Sequence, residues 1–178
     1  MSIDNFRASL VGGGQRANQF SVQLTFPQIV SGGTAAPAIL LAPFMINASK
    51  LPGSNIEQID AWWRGRRVPL AGERTFEDWT ITVLNDTNFA LHTAFQVWGN
   101  LINNVDDNTG ITVPTAYVAD AYISALDRNG LETKTYKMKG LWPKTISEID
   151  VDFKNPEIQT FTVTFPVYNW SSDVVGGL

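Results

Sequence analysis

Residues 76–103 read FEDWTITVLNDTNFALHTAFQVWGNLIN, and two periodicities meet inside them. In 76–84, Trp79, Ile81 and Val83 take every second position, with Asp78, Thr80 and Thr82 between them. Successive side chains of a strand leave on opposite faces, so this is a half-buried strand with one apolar and one polar side. The period then changes. Leu91, Phe95, Trp98 and Ile102 stand at i, i+4, i+7 and i+11, an apolar stripe on a helix running to about Asn103, with His92, Gln96 and Asn100 on the other side. Asn85, Asp86 and Thr87 supply side-chain oxygens to cap its first turn.

The strand pattern recurs on both sides. In 18–26, Phe20, Val22, Leu24 and Phe26 alternate with Ser21, Gln23 and Thr25; in 158–167, Phe161, Val163, Phe165 and Val167 stand opposite Thr160, Thr162 and Thr164. Residues 116–126 lead into Asp127–Arg128–Asn129–Gly130 and a return strand over 131–139, since Asn-Gly between strands favours a hairpin turn. Further strands are expected over 38–49, interrupted by Pro43, and over 146–153. Roughly seven or eight strands and one helix predict a mainly β protein, a β-barrel or sandwich with a flanking helix. Residues 1–178 are expected to form a single domain. Residues 1–17, with Gly12–Gly13–Gly14, read as a flexible arm. Residues 47–75 read as a long protruding loop of hairpin character, punctuated by Pro52–Gly53, Gly65, Pro69 and Gly72. It carries Arg64, Arg66, Arg67 and Arg74 and the adjacent Trp62 and Trp63, which argue against disorder.

Composition excludes much enzymology. The 178 residues contain no cysteine and one histidine, His92, so thiol nucleophiles, disulfide scaffolds and two-His metal motifs are ruled out. Hydrophobic residues are 44% of the chain, enough for a core. Charged residues are only 17%, which points to a large buried fraction or to surface covered by other subunits. A net charge of −4 argues against a general nucleic-acid binder. The most apolar run, AAPAILLAPFMI, has 12 residues and two prolines, too short to span a bilayer. No export signal is read at the N-terminus, so the sequons at Asn47, Asn85 and Asn169 are read as chance and the protein as soluble and cytoplasmic.

The candidate chemical groups are weak. Asp150 and Asp152 alternate as an acid/base pair would, but among 17 acids such pairs arise by chance and a solvated strand face is the better reading; Glu77 and Asp78 are merely adjacent. Residues 106–110, DDNTG, begin like a calcium loop and lack its spaced ligands and closing Glu, so a turn is expected. No P-loop follows the glycines at 12–14 or 32–33. No catalytic, cofactor-binding or metal site is expected, and the chain is read as a non-enzyme. Trp62 and Trp63 can stack on a sugar in a carbohydrate-binding sandwich or anchor a subunit interface, where tryptophan and arginine concentrate. The arginines suit interchain salt bridges better than phosphate contacts. Most informative are the polar strand faces, Ser21, Gln23 and Thr25, then Asp78, Thr80 and Thr82, then Thr160, Thr162 and Thr164. They are almost free of lysine and arginine, which suits a wall past which something slides; a simple β-rich surface, since Thr favours strands, is the alternative.

Several segments in order then resemble the tail tube proteins of contractile-tailed bacteriophages (myophages). They are LPGS at 51–54, RGR at 64–66, LAGERTF at 70–76, WTITVLND at 79–86, LDRNG at 126–130, GLWP at 140–143 and FTVTFPVYNW at 161–170. The resemblance covers nearly the whole chain. It implies a subunit of a hexameric ring, with rings stacked helically into the inner tube of a contractile sheath, in the virion, after assembly in the host cytoplasm. It implies as partners other copies of the chain, the tail sheath protein, and baseplate and tail terminator proteins, with no membrane. Double-stranded DNA would pass through the lumen without specific binding, for which a lining without basic stripes is suited. The polar strand faces become lumen candidates, and loop 47–75 an inter-subunit and inter-ring contact anchored by Trp62, Trp63 and the arginines. The same fold serves phage-like contractile injection particles, which stay open as an alternative. The insertion at 31–42 and the paired tryptophans depart from the family pattern.

Overall fold

The computed structural model describes residues 2–10, 14–31 and 36–173. Its β-structure forms two four-stranded antiparallel sheets and a separate hairpin. The first sheet has the order β1-β6-β7-β10, from Phe20–Leu24, Ala119–Leu126, Glu132–Leu141 and Asn169–Ser172. The second has the order β2-β5-β9-β8, from Ile46–Ser49, Trp79–Leu84, Thr160–Phe165 and Thr145–Ile146. The hairpin pairs β3 (Ser54–Trp63) with β4 (Arg66–Phe76).

The expected alternation builds the core. Val22 and Leu24 from β1, Ala121 and Ile123 from β6 and Met138 from β7 join Ile81 and Val83 from β5 and Phe161, Val163 and Phe165 from β9 in one buried cluster. Each sheet therefore buries one face against the other, a sandwich. The helix expected after β5 is α4, Ala90–Ile102, and it lies over β9: Phe95 meets Phe161 and Phe165 at ring separations of 6.2 and 6.0 Å, and Trp98 meets Phe165 at 6.2 Å. Phe26, just past β1, closes the cluster at 5.3 Å from both Phe95 and Trp98. Aromatic pairs at such separations add about 0.5–1.5 kcal/mol each beyond their burial.

Several expectations need correction. The run 38–49 is not one strand: Ala36–Met45 is helix α3, and only Ile46–Ser49 pairs as β2. A uniformly apolar run carries no period to separate helix from strand, and its Ala and Leu favour helix. Pro43 lies inside that helix and removes one i→i−4 donor from its last turn. The strand expected over 146–153 shrinks to Thr145–Ile146. Beyond it, Asp152 and Asn155 side chains accept from the backbone N–H of Lys154 and Glu157, turns that compete with a ladder. Asp150 and Asp152 consequently share no strand face. Helix α4 also starts later than its cap residues suggest. Phe89, at φ 53°, precedes it, and Asp86 Oδ1 accepts the Ala90 N–H at 2.8 Å from the preceding turn. His92, expected exposed, is half-buried with its ring edge-on to Phe161 at 5.0 Å.

Short helices fill the remaining connections: α1 (Ile3–Ser9), α2 (Gln28–Ser31) and α5 (Pro114–Tyr117). Ser2 caps α1 by accepting the Asp4 N–H, and no residue of α1 is buried. Gly12 and Gly13 of the expected arm, and residues 32–35 of the departing insertion, lie outside the described residues. The 127–130 turn forms as expected. Asp127 accepts N–H groups from Leu131 and Asn129, which hold its carboxyl below the usual carboxylate range, and Gly130 takes φ +79°.

Candidate assembly surfaces

Hairpin β3–β4 leaves the second sheet between β2 and β5. Its root is held by the Trp170 indole donating to the Gly53 carbonyl at 2.9 Å and by Phe76 against the Trp170 ring. Beyond the root its strands contact chiefly each other. At about 3.4 Å per residue, ten-residue β3 reaches roughly 30 Å. Such a two-stranded ribbon is marginal alone in water.

Its tip is a two-residue turn, Arg64–Gly65, with both residues at positive φ (49° and 81°), the mirror-image turn that matches strand twist. Register places Trp63 opposite Arg66, Ala61 opposite Val68 and Ile59 opposite Leu70 on one face. Trp62 opposite Arg67 and Asp60 opposite Pro69 make the other. The first face is apolar and exposed: Trp63 is 69% accessible, Ile59 55% and Leu70 51%. The second sets Trp62 and Pro69 beside polar groups, with Arg67 Nε 3.3 Å from Asp60 and the Gln58 amide donating to Asp60. Arg64 lies over the Trp63 ring at 5.5 Å. Among the described residues neither Arg64 nor Arg66 has a carboxylate partner. The structure thus gathers five of the six expected interface residues at the tip. Arg74, opposite Ile56, sits near the root.

A bulge breaks the register between Ile56 and Gln58, where Gly72 approaches β3 closely. A Cβ there would stand 2.9 Å from both the Glu57 carbonyl oxygen and Ile59 Cγ1. Gly72→Val will therefore open the hairpin. Because the hairpin packs on itself, the thermal midpoint of the subunit should move by no more than about 2–4 °C, the shift about 1 kcal/mol produces in a chain this size. Amide exchange at Ile59 and Leu70 should rise to that of an open loop, readable by hydrogen-exchange NMR.

The lumen candidates separate onto two surfaces. Ser21 and Gln23 lie on the outer face of the first sheet, and Thr25 continues it by donating its N–H to the Asp120 carbonyl. Thr80 and Thr82 lie on the outer face of the second sheet opposite Thr164 and Thr162, with Thr160 at its end opposite Leu84. Thr80 and Thr164 hydroxyls bond at 3.2 Å. These two faces point away from each other, so a single wall cannot contain both. They also differ in charge. The first carries Lys137 paired with Asp120 at 3.5 Å, with its ammonium over the Tyr122 ring. The second has no charged side chain within its strands. Asp78 precedes β5 and is bound by Lys144 at 2.7 Å.

Other candidates resolve into structural roles. Asp107 accepts the N–H and hydroxyl of Thr109, which lower its carboxyl's pKa and make 106–110 a turn. Among the described residues no cluster of three or more His, Cys, Asp or Glu could hold a metal, and no helix is long and apolar enough to cross a membrane. Trp79 and Trp98 are buried, so an extended aromatic platform for sugar is not formed from them. Sequence reasoning missed two exposed apolar surfaces: Leu40 and Phe44 on α3, and Val151 and Phe153 in the connection 147–159. The latter borders a concavity of about 460 Å³. Turn residues such as Asn155–Pro156 were the available signal for that loop.

Comparison with known proteins gives a consistent picture. The family model described as "Phage tail tube protein" matches residues 15–172. The chain is 27% identical over 175 residues to the tail tube protein of Serratia phage KSP90, covering 97% of each. It is 33% identical over 129 residues to tail tube protein gp19 of Enterobacteria phage T4, covering 71% of this chain and 79% of the relative. Its fold is similar to a chain in the sheath–tube complex of an extracellular contractile injection system, PVC, with a TM-score of 0.62 at 13% identity and coverage of 98% and 99%.

Proposed function

The chain belongs to the phage tail tube protein family, and from that premise we propose that it acts by assembly without turnover, six copies closing into rings that stack helically into a tube. The observation that carries this reading is the hairpin: an exposed ribbon, apolar on one face and marginal by itself, needs a surface outside its own subunit. Residues 1–178 act as one tube domain, with 1–17 as an arm and 47–75 as the contact between subunits and rings. Closing sheets across subunits also pairs the edge strands that a free subunit leaves open.

The second sheet lines the lumen. Its threonine face, Thr80, Thr82, Thr162 and Thr164, presents hydroxyls and no cation, so passing duplex finds no counterion-releasing partner to hold it. The first sheet, with its paired Lys137 and Asp120, faces outward. Phage DNA passes the bore; the tail sheath surrounds the tube, and baseplate and terminator proteins bound its ends. The sequence relatives are phage proteins, which favours DNA over the cargo of an injection particle. Capsid and terminase genes beside this gene would agree; their absence would favour the particle.

Electron microscopy of the purified protein across concentration, with and without tail baseplates as seeds, tests the assembly. Hollow rings or tubes with sixfold end views are expected. Monomers under both conditions would overturn the reading. The lumen assignment has its own test, because the wild-type chain has no cysteine. Thr162→Cys should react with a bulky polyethylene-glycol maleimide in the free subunit and be shielded in the tube, whereas Gln23→Cys should remain reactive in both. The reverse pattern would place the first sheet inside.

A further inference from the structure

The two ends of the second sheet carry opposite chemistry. Its strands run antiparallel with Trp79 beside Phe165 at one end and Leu84 beside Thr160 at the other. The hairpin rises from the Trp79 end, since β2 closes at Ser49 opposite Ile81 and β4 ends at Phe76. The connection 147–159 occupies the other end: it leaves β8 after Ile146 and enters β9 at Thr160, with the Gln159 carbonyl accepting the Asn85 N–H. Hairpin and connection therefore lie at opposite ends of one subunit and cannot meet within it.

Their surfaces are complementary. The tip holds Arg64, Arg66 and Arg67 beside exposed Trp62 and Trp63. The connection holds Glu148, Asp150, Asp152 and Glu157 against the single cation Lys154, and none of the four carboxylates forms an ion pair among the described residues. Between these acids Phe153 and Val151 are fully or largely exposed.

We infer that the hairpin tip of one subunit docks on the acidic 147–159 connection of a second copy in the next ring, Arg64 and Arg66 meeting its carboxylates and the tryptophans covering Phe153. This rests on the tube reading above and specifies which surface the hairpin meets. An end-to-end contact between two different patches repeats without closing, so it extends a stack rather than a ring. Unlike charges then set its polarity: tip-to-tip and connection-to-connection encounters oppose like charges. The contact should accordingly weaken with ionic strength.

Charge reversal decides it, read as tube mass pelleted by ultracentrifugation, with circular dichroism confirming that each chain folds. Arg64→Glu with Arg66→Glu, and separately Asp150→Lys with Glu157→Lys, should each reduce pelleted tube about tenfold or more, because each opposes like charges. One chain carrying all four changes should recover most of the wild-type yield. A hairpin variant that assembles like wild type would overturn both this contact and the hairpin's part in the tube. A hairpin variant that fails beside a connection variant that assembles normally would overturn the pairing and leave the tube reading intact. Failure of both with no recovery in the combined chain would also overturn the pairing.

Discussion

Trp62→Ser combined with Trp63→Ser yields a subunit that folds as the wild type does and does not assemble at concentrations where the wild type forms tubes. Neighbouring strand residues point to opposite faces, so the two indoles anchor different sides of the ribbon: Trp63 joins Ile59, Ala61, Val68 and Leu70, while Trp62 shares its face with the Arg67–Asp60 pair. Truncating a buried interface tryptophan costs about 2–4 kcal/mol. At 1.4 kcal/mol per decade, that is roughly 30- to 700-fold in the required concentration for each anchor. The fold should be spared because each indole is 69% exposed and far from the sandwich core. Thermal melting by circular dichroism and sedimentation against concentration separate the two effects. Tubes at the wild-type concentration would remove the hairpin tip from the interface, and an equal loss of melting temperature would show that the tryptophans serve the fold instead.

The hairpin could be read from sequence because its signals are local. Gly65 supplies the left-handed turn and Gly72 the close approach at the bulge, and such punctuation needs no distant partner to be recognised. The same holds for β5, α4 and β9, whose apolar periods survive as buried faces. Where the period is missing, the reading failed: APAILLAPFM is apolar at almost every position, and only its packing against α4 and β1 decides that it is a helix.

The lumen candidates meet a different limit. Alternation correctly separates Ser21 and Gln23, or Thr80 and Thr82, from their buried neighbours, but it says nothing about which strands share a sheet. That is fixed by pairing between distant residues, Phe20 with Ala125 and Trp79 with Phe165. Once pairing is known, the polar faces fall on opposite sides of the sandwich and differ in charge. The acidic connection was hidden for a related reason. Alternation puts Asp150 and Asp152 on a strand, and only the loss of that strand shows Val151 and Phe153 to be exposed among them.

Trp98→Ala will lower the unfolding free energy by about 3–5 kcal/mol, the range for deleting a buried tryptophan. Trp98 is fully buried, tilted against Phe26 and Phe165 and stacked on Phe95, so its removal strips α4 of contacts to β9 and to the segment that follows β1. It also leaves the half-buried Tyr117 carbonyl without the indole N–H that it accepts at 2.7 Å, and an acceptor shielded from water without a donor adds its own penalty. Against a total of about 5–15 kcal/mol this is a large fraction. For a chain of this length the melting midpoint should fall by about 6–20 °C. Phe153→Ser is the control, since that ring is fully exposed and its loss should leave the midpoint in place. If tube formation protects the fold, the two variants must also part in a second way: Trp98→Ala should regain much of its melting temperature on assembly, because every contact made only by the folded subunit draws the equilibrium toward it. Phe153→Ser should melt normally as a monomer and gain less than wild type on assembly, since its deficit lies in the contact between rings.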